Sequence, residues 1–152
     1  MNGRILVSLL VVSGWALTPL PLLSAHTFPP VVTQKIQAAP KQVKTIAMED
    51  YRAVGDHPGD ALIIDVRELQ EYAAGHVPGA VNIPRGVLEF QIWKHVGSPA
   101  GPQMATPLYL QCQSGNRASL AAQSLAELGL THTTAVVMSL KEWQKSGQPF
   151  VK

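Results

Sequence analysis

Apolar residues along this chain fall into short blocks separated by turns rich in Pro, Gly, Asp and Ser. Ala61–Val66 (ALIIDV) is a nearly continuous apolar run, the pattern of a strand buried on both faces. Asp56–Asp60 (DHPGD) just before it is a turn by composition. Shorter blocks at Lys44–Ile46, Val81–Ile83, Leu108–Gln111 and Thr134–Val137 predict four more strands. Helical spacing recurs between them. It covers Met48–Val54, Glu68–Ala74 (stopped by Gly75), Val87–Val96 with Leu88, Ile92 and Val96 inward, Arg117–Leu128 and Leu140–Lys145. Residues 97–107 (GSPAGPQMATP) predict a loop. Strands alternating with helices predict a parallel sheet covered by helices on both faces. Ligands of such sheets bind at the carboxyl ends of the strands.

The first 42 residues follow another pattern. Arg4 precedes a 13-residue, mostly apolar stretch, Ile5–Leu17, which Pro19 and Pro21 interrupt. That order predicts a secretory signal over residues 1–25, cleaved after Ala25. An uncleaved anchor is the competing reading, although a bilayer span needs about 20 apolar residues. Residues 26–42 (HTFPPVVTQKIQAAPKQ) hold three prolines and no clear period, which predicts a flexible linker. Residues 43–152 then form one folded domain in a periplasmic or secreted protein.

Composition narrows the chemistry further. Among 152 residues, 12 are Lys or Arg and 10 are Asp or Glu, scattered without a basic run, so nucleic-acid binding is not predicted. The five histidines lack ligand spacing, and no metal site is expected. There is one cysteine, Cys112, which has no partner within the chain for a disulfide.

Cys112 ends a predicted strand and opens the turn CQSGNR, with a helix following. A loop closing onto a helix N-terminus turns backbone N–H groups inward as an anion cradle. Gly115 permits the tight ring, and Arg117 adds positive charge. Such surroundings favour a thiolate nucleophile. The plainer alternative is a cysteine packed inertly at the end of a buried strand.

This turn resembles the active-site loop of single-domain rhodaneses, Cys-x-x-Gly-x-Arg. Asp65–Pro84 (DVRELQEYAAGHVPGAVNIP) is similar to a second stretch of that family, and Trp143 in the last helix is a third match. The resemblance implies a small three-layer α/β sandwich with a five-stranded, mainly parallel sheet. It implies a sulfurtransferase in which Cys112 attacks the sulfane sulfur of a donor such as thiosulfate and carries it as a persulfide. A thiophilic acceptor, cyanide or a small or protein thiol, then removes the sulfur. By the same resemblance Gln113, Ser114, Gly115, Asn116 and Arg117 bind substrate, Asp65 and Arg67 support the loop, and no metal or organic cofactor takes part. Membrane contact is expected only through an uncleaved signal segment.

Two rival functions stay open at this stage. Rhodanese-like domains also act as sulfur carriers or protein-interaction modules without turnover. Related cysteine-dependent phosphatases place five residues between Cys and Arg; four lie between Cys112 and Arg117, a smaller ring that suits sulfur. The sequence also departs from the family at Met138-Ser139, where Gly-Gly is usual. Met138 is expected either on the pocket rim, narrowing it for thiosulfate, or turned into the core.

Overall fold

The computed structural model describes residues 28–98 and 101–152, so the predicted signal over residues 1–25 lies outside the described residues. In chain order the elements are α1 (Pro30–Ala38), β1 (Lys44–Ile46), α2 (Met48–Asp56), β2 (Leu62–Asp65), α3 (Leu69–Ala73), β3 (Val81–Asn82), α4 (Leu88–Gln91), α5 (Trp93–Val96), β4 (Gly97–Ser98), β5 (Gly101–Pro102), β6 (Leu108–Gln111), α6 (Asn116–Glu127), β7 (Thr133–Val136) and α7 (Leu140–Lys145). Five strands form one sheet in the order β1-β7-β6-β2-β3, with every neighbouring pair parallel. The strand that leads to Cys112 is therefore central.

Period-two alternation divides the strands between two apolar layers. Ile64, Leu108, Leu110 and Ala135 face one side, where they meet Leu88, Ile92 and Val96 of α4 and α5 and the Ala118, Ala121, Ala122 and Leu125 stripe of α6. Alanines in that stripe bring α6 close to the sheet. Ile63 and Val136 face the other side, against Tyr51 of α2 and Leu140 and Trp143 of α7. Each fully buried leucine here stabilises the fold by about 1.5–3 kcal/mol.

β2 leads through α3 to β3 on one side, whereas β6 leads through α6 to β7 on the other, beyond which β1 forms the edge. The chain thus diverges between β2 and β6, and their carboxyl ends bracket the crevice where open α/β sheets take ligands.

Three local expectations differ from the structure. Residues 30–41, expected to be flexible, are helical: α1 is followed by a 3-10 turn, Ala39–Lys41. Pro30 sits in the first helical turn, where no intrahelical N–H is needed, and Pro40 falls after the helix ends. Ala39 is buried, and Gln123 of α6 donates a side-chain hydrogen bond to Gln42. The single helix expected over Val87–Val96 is divided at Ile92, where the Trp93 indole donates to the Glu89 carbonyl at 2.8 Å. That carbonyl would accept from the Trp93 amide in a continuous helix. Within the expected loop 97–107, β4 and β5 pair in antiparallel fashion.

Candidate active site

The Cys112 loop is shaped by Gly115. This residue is the N-cap of α6 and has φ +93°, in the left-handed region where an L side chain is strained. A Cβ there would also lie 2.9 Å from Val137 Cα. The loop therefore turns tightly against the end of β7, and its Gly115 N–H donates to Cys112 Sγ at 3.1 Å. Ser119 braces the turn, since both its amide and its hydroxyl donate to the Gly115 carbonyl at 2.9 Å. The amides of Asn116, Arg117 and Ala118 begin the helix and have no acceptor within it. They give the positive end of α6 to whatever charge develops at the sulfur. Cys112 is a free thiol, 2% exposed, at the crevice end of the sheet.

A polar network lies beneath the loop, on the α2–α7 face. Asp65 and Gln111 are cross-strand partners at the ends of β2 and β6, and both are fully buried. Tyr51 donates to Gln111 Oε1 at 2.8 Å, and Gln111 Nε2 donates to Asp65 Oδ2 at 3.1 Å. Burial first, and the Asp65 charge second, push the Tyr51 phenol well above its ordinary range, so it remains a donor.

Arg67 completes the Asp65 carboxylate. Its Nε lies 2.9 Å from both carboxylate oxygens, and Nη2 lies 2.6 Å from Oδ2. Nη2 also donates to the Gly75 carbonyl (2.8 Å), and Nη1 donates to the Glu71 carbonyl (3.1 Å). Asn82 clips this turn by donating to the Asp65 and Arg67 carbonyls at 2.9 Å. Asp65 and Arg67 hold the crevice wall in place.

Arg117 shares its charge between Glu71, its main partner, and the nearby Cys112 sulfur. It forms a two-pronged ion pair with Glu71 of α3, Nη1 to Oε2 at 2.6 Å and Nη2 to Oε1 at 2.7 Å. Hydrogen bonding from Arg117 outweighs partial burial and lowers the Glu71 carboxyl from 4.5 to about 2. The same bond raises the Arg117 guanidinium. The positive charge expected of Arg117 in the loop is thus offset by Glu71.

The remaining sequence candidates are divided between loop wall and solvent. Gln113 is half-buried, its carbonyl accepts from the Leu140 amide at 3.1 Å, and its side chain borders a cleft of about 160 Å³ with Arg67, Glu71, Lys141 and Gln144. Ser114 and Asn116 are exposed. Met138 is 7% exposed and joins the apolar cluster of Tyr51, Leu140 and Trp143, so it fills the core and does not line the rim. The Met138-Ser139 turn needs no glycine: no non-glycine residue among those described has positive φ, and Ser139 caps α7 by accepting from the Glu142 amide.

Sequence reasoning passed over Tyr51, Gln111 and Glu71. Gln111 was detectable as a polar residue closing an apolar strand. Glu71 was detectable as the acid three positions after Glu68, where a capping box forms. Among the described residues, no group of three His, Cys, Asp or Glu side chains is placed to hold a metal ion.

The model of the rhodanese-like domain family matches residues 48–146. The chain is 30% identical over 115 residues to the thiosulfate:glutathione sulfurtransferase of Saccharomyces cerevisiae, covering 69% of this chain and 81% of that protein. A human single-domain sulfurtransferase superposes with TM-score 0.56 at 30% identity, over 68% of this chain and 96% of the other. A Rhodopseudomonas palustris protein of unknown function, a possible tyrosine phosphatase, superposes with TM-score 0.68 over 84% of this chain and 98% of its own, and at 24% identity it speaks for the fold alone. With that family model matching residues 48–146, the chain belongs to the rhodanese-like domain family.

Proposed function

We propose that this protein is a sulfurtransferase that carries a sulfane sulfur as a persulfide on Cys112. In the first half-reaction the Cys112 thiolate attacks the outer sulfur of a donor such as thiosulfate. The S–S bond of the donor breaks, sulfite leaves with the bonding pair, and the sulfur stays on Cys112. In the second, a thiolate acceptor such as glutathione, or cyanide, attacks that outer sulfur and Cys112 leaves as thiolate. The acceptor becomes a persulfide or thiocyanate, and the enzyme returns to its starting state.

One observation carries the reading: Cys112 Sγ stands at the end of the central strand, 3.1 Å from the Gly115 amide and before the first turn of α6. The cradle is suited to the negative charge of a thiolate and then of a persulfide. Two features argue against phosphate-ester chemistry. The ring is one residue short, and the arginine that would grip a phosphoryl group is taken by Glu71.

Initial rates with donor and acceptor both varied test the mechanism. Parallel double-reciprocal lines are expected, and lines that converge would contradict a covalent intermediate. A Cys112 that loads sulfur yet never turns over would make the protein a carrier instead. We further propose that the protein works in the periplasm after cleavage at Ala25. N-terminal sequencing should find His26 first, whereas Met1 retained in the membrane fraction would contradict export.

A further inference from the structure

Three cations lie in or beside the Cys112 loop, Arg117 within it and Arg67 and Lys141 along a cleft that Gln113 also lines, and the two arginines are already engaged. Arg67 gives its guanidinium hydrogens to Asp65 and to the Gly75 and Glu71 carbonyls. Arg117 gives both terminal nitrogens to the Glu71 carboxylate. Lys141, exposed on α7, borders the cleft lined by Arg67, Glu71 and Gln113 and has no ion-pair partner among the described residues.

Glu71 is also fixed on the α3 side of the pair. Its Oε2 also accepts from the Glu68 amide at 3.1 Å, as the third residue of the α3 capping box. Its own carbonyl accepts from Arg67. The Arg117–Glu71 pair bridges the segments that follow β6 and β2, at the point where the strand order diverges. The loop side chains Gln113, Ser114 and Asn116 carry no charge. A donor in this crevice meets backbone amides, an Arg117–Glu71 pair whose charges offset each other and the Lys141 ammonium nearby, not a bare guanidinium.

We infer that Glu71 sets the donor specificity of the Cys112 site: by holding Arg117 in a bidentate pair, it shifts the site from dianionic thiosulfate toward persulfides of lower charge. This rests on the sulfur-transfer reading above. A dianion gains more than a monoanion from an unmasked cation, so Glu71 acts on the ratio between donors. For one extra charge across a partly solvated gap of several ångströms the effect is about tenfold, equivalent to about 1.4 kcal/mol.

The test compares kcat/KM for thiosulfate and for 2-hydroxyethyl persulfide, made in solution, at one fixed acceptor concentration and at low and high salt. Glu71→Gln is expected to raise the thiosulfate-to-persulfide ratio about tenfold, with the gain shrinking as salt screens the charge. Glu71→Gln combined with Arg117→Gln replaces the ion pair by a neutral pair and should return the ratio to within about twofold of wild type. That second variant separates masking from direct grip, because a donor-binding Arg117 predicts a fall in the ratio well below wild type. A ratio unmoved in Glu71→Gln, or equal losses with both donors, would overturn the inference and leave Glu71 a structural residue. If Glu71→Gln does not fold, a ratio well below wild type in the double variant overturns it alone. Failure of both donors to load wild-type Cys112 would overturn the sulfur-transfer reading and this inference with it.

Discussion

Replacing Arg67 by Met should destabilise the fold severely, and replacing its partner as well should undo part of the damage. Asp65 is fully buried, and Arg67 is 3% exposed. Met has the length to fill the guanidinium's path but leaves the Asp65 carboxylate with only the Gln111 amide and its own turn's N–H as donors. Removing one partner of a buried ion pair costs about 3–5 kcal/mol, because the other charge stays desolvated. The whole stability of such a domain is about 5–15 kcal/mol. At about 4–8 °C per kcal/mol for a domain near 100 residues, the melting temperature should fall by at least about 12 °C. Asp65→Asn together with Arg67→Met removes both charges and should cost less than Arg67→Met alone. It will not be neutral, since the carbonyls of Glu71 and Gly75 lose their donor. Urea unfolding at pH 7 of the wild type, both single variants and the double gives the coupling energy directly. A loss below about 1 kcal/mol for Arg67→Met, or single and double costs that simply add, would refute the claim that this pair holds the crevice wall.

Gly115→Ala should abolish sulfur transfer and lower stability by at least about 1 kcal/mol, since left-handed backbone and a 2.9 Å approach to Val137 both oppose the methyl group; a folded variant with wild-type turnover would contradict the loop geometry. Met138→Ala should cost about 2–5 kcal/mol in urea unfolding and change both donors' kinetics alike; a selective gain for thiosulfate would put the side chain on the rim. Glu71 has a depressed carboxyl, so its pair with Arg117 contributes fully above pH 4.5 and is lost as pH falls toward about 2. The stability difference between wild type and Glu71→Gln should therefore shrink across that interval, and a difference constant with pH would contradict the pairing.

Local pattern made the sheet legible. ALIIDV and LYLQ each alternate between the two apolar layers, so their burial on both faces is written in consecutive residues. The cysteine turn was legible for a similar reason, because Cys112, Gly115 and the helix behind them are contiguous. Contacts across long sequence separations were not. Arg117 reads as a free cation until Glu71, 46 residues away, closes on it. Tyr51 reads as a helix residue until it reaches Gln111, 60 positions on, at the end of the central strand. The helix over Pro30–Ala38 was obscured by its prolines, whose positions at its start and beyond its end are compatible with helix only once the boundaries are known. Met138 had two destinations, and packing against Tyr51 and Trp143 decided between them.

The persulfide itself is the most direct test. The protein should be incubated with excess donor and no acceptor, freed of small molecules, and weighed intact by mass spectrometry. Peptide mapping then locates any added atom. The account predicts one added sulfur, on Cys112, that disappears when glutathione or cyanide is supplied, and none on a folded Cys112→Ser variant. A wild-type mass unchanged by thiosulfate and by organic persulfides alike, or sulfur that the acceptor fails to remove, would contradict it.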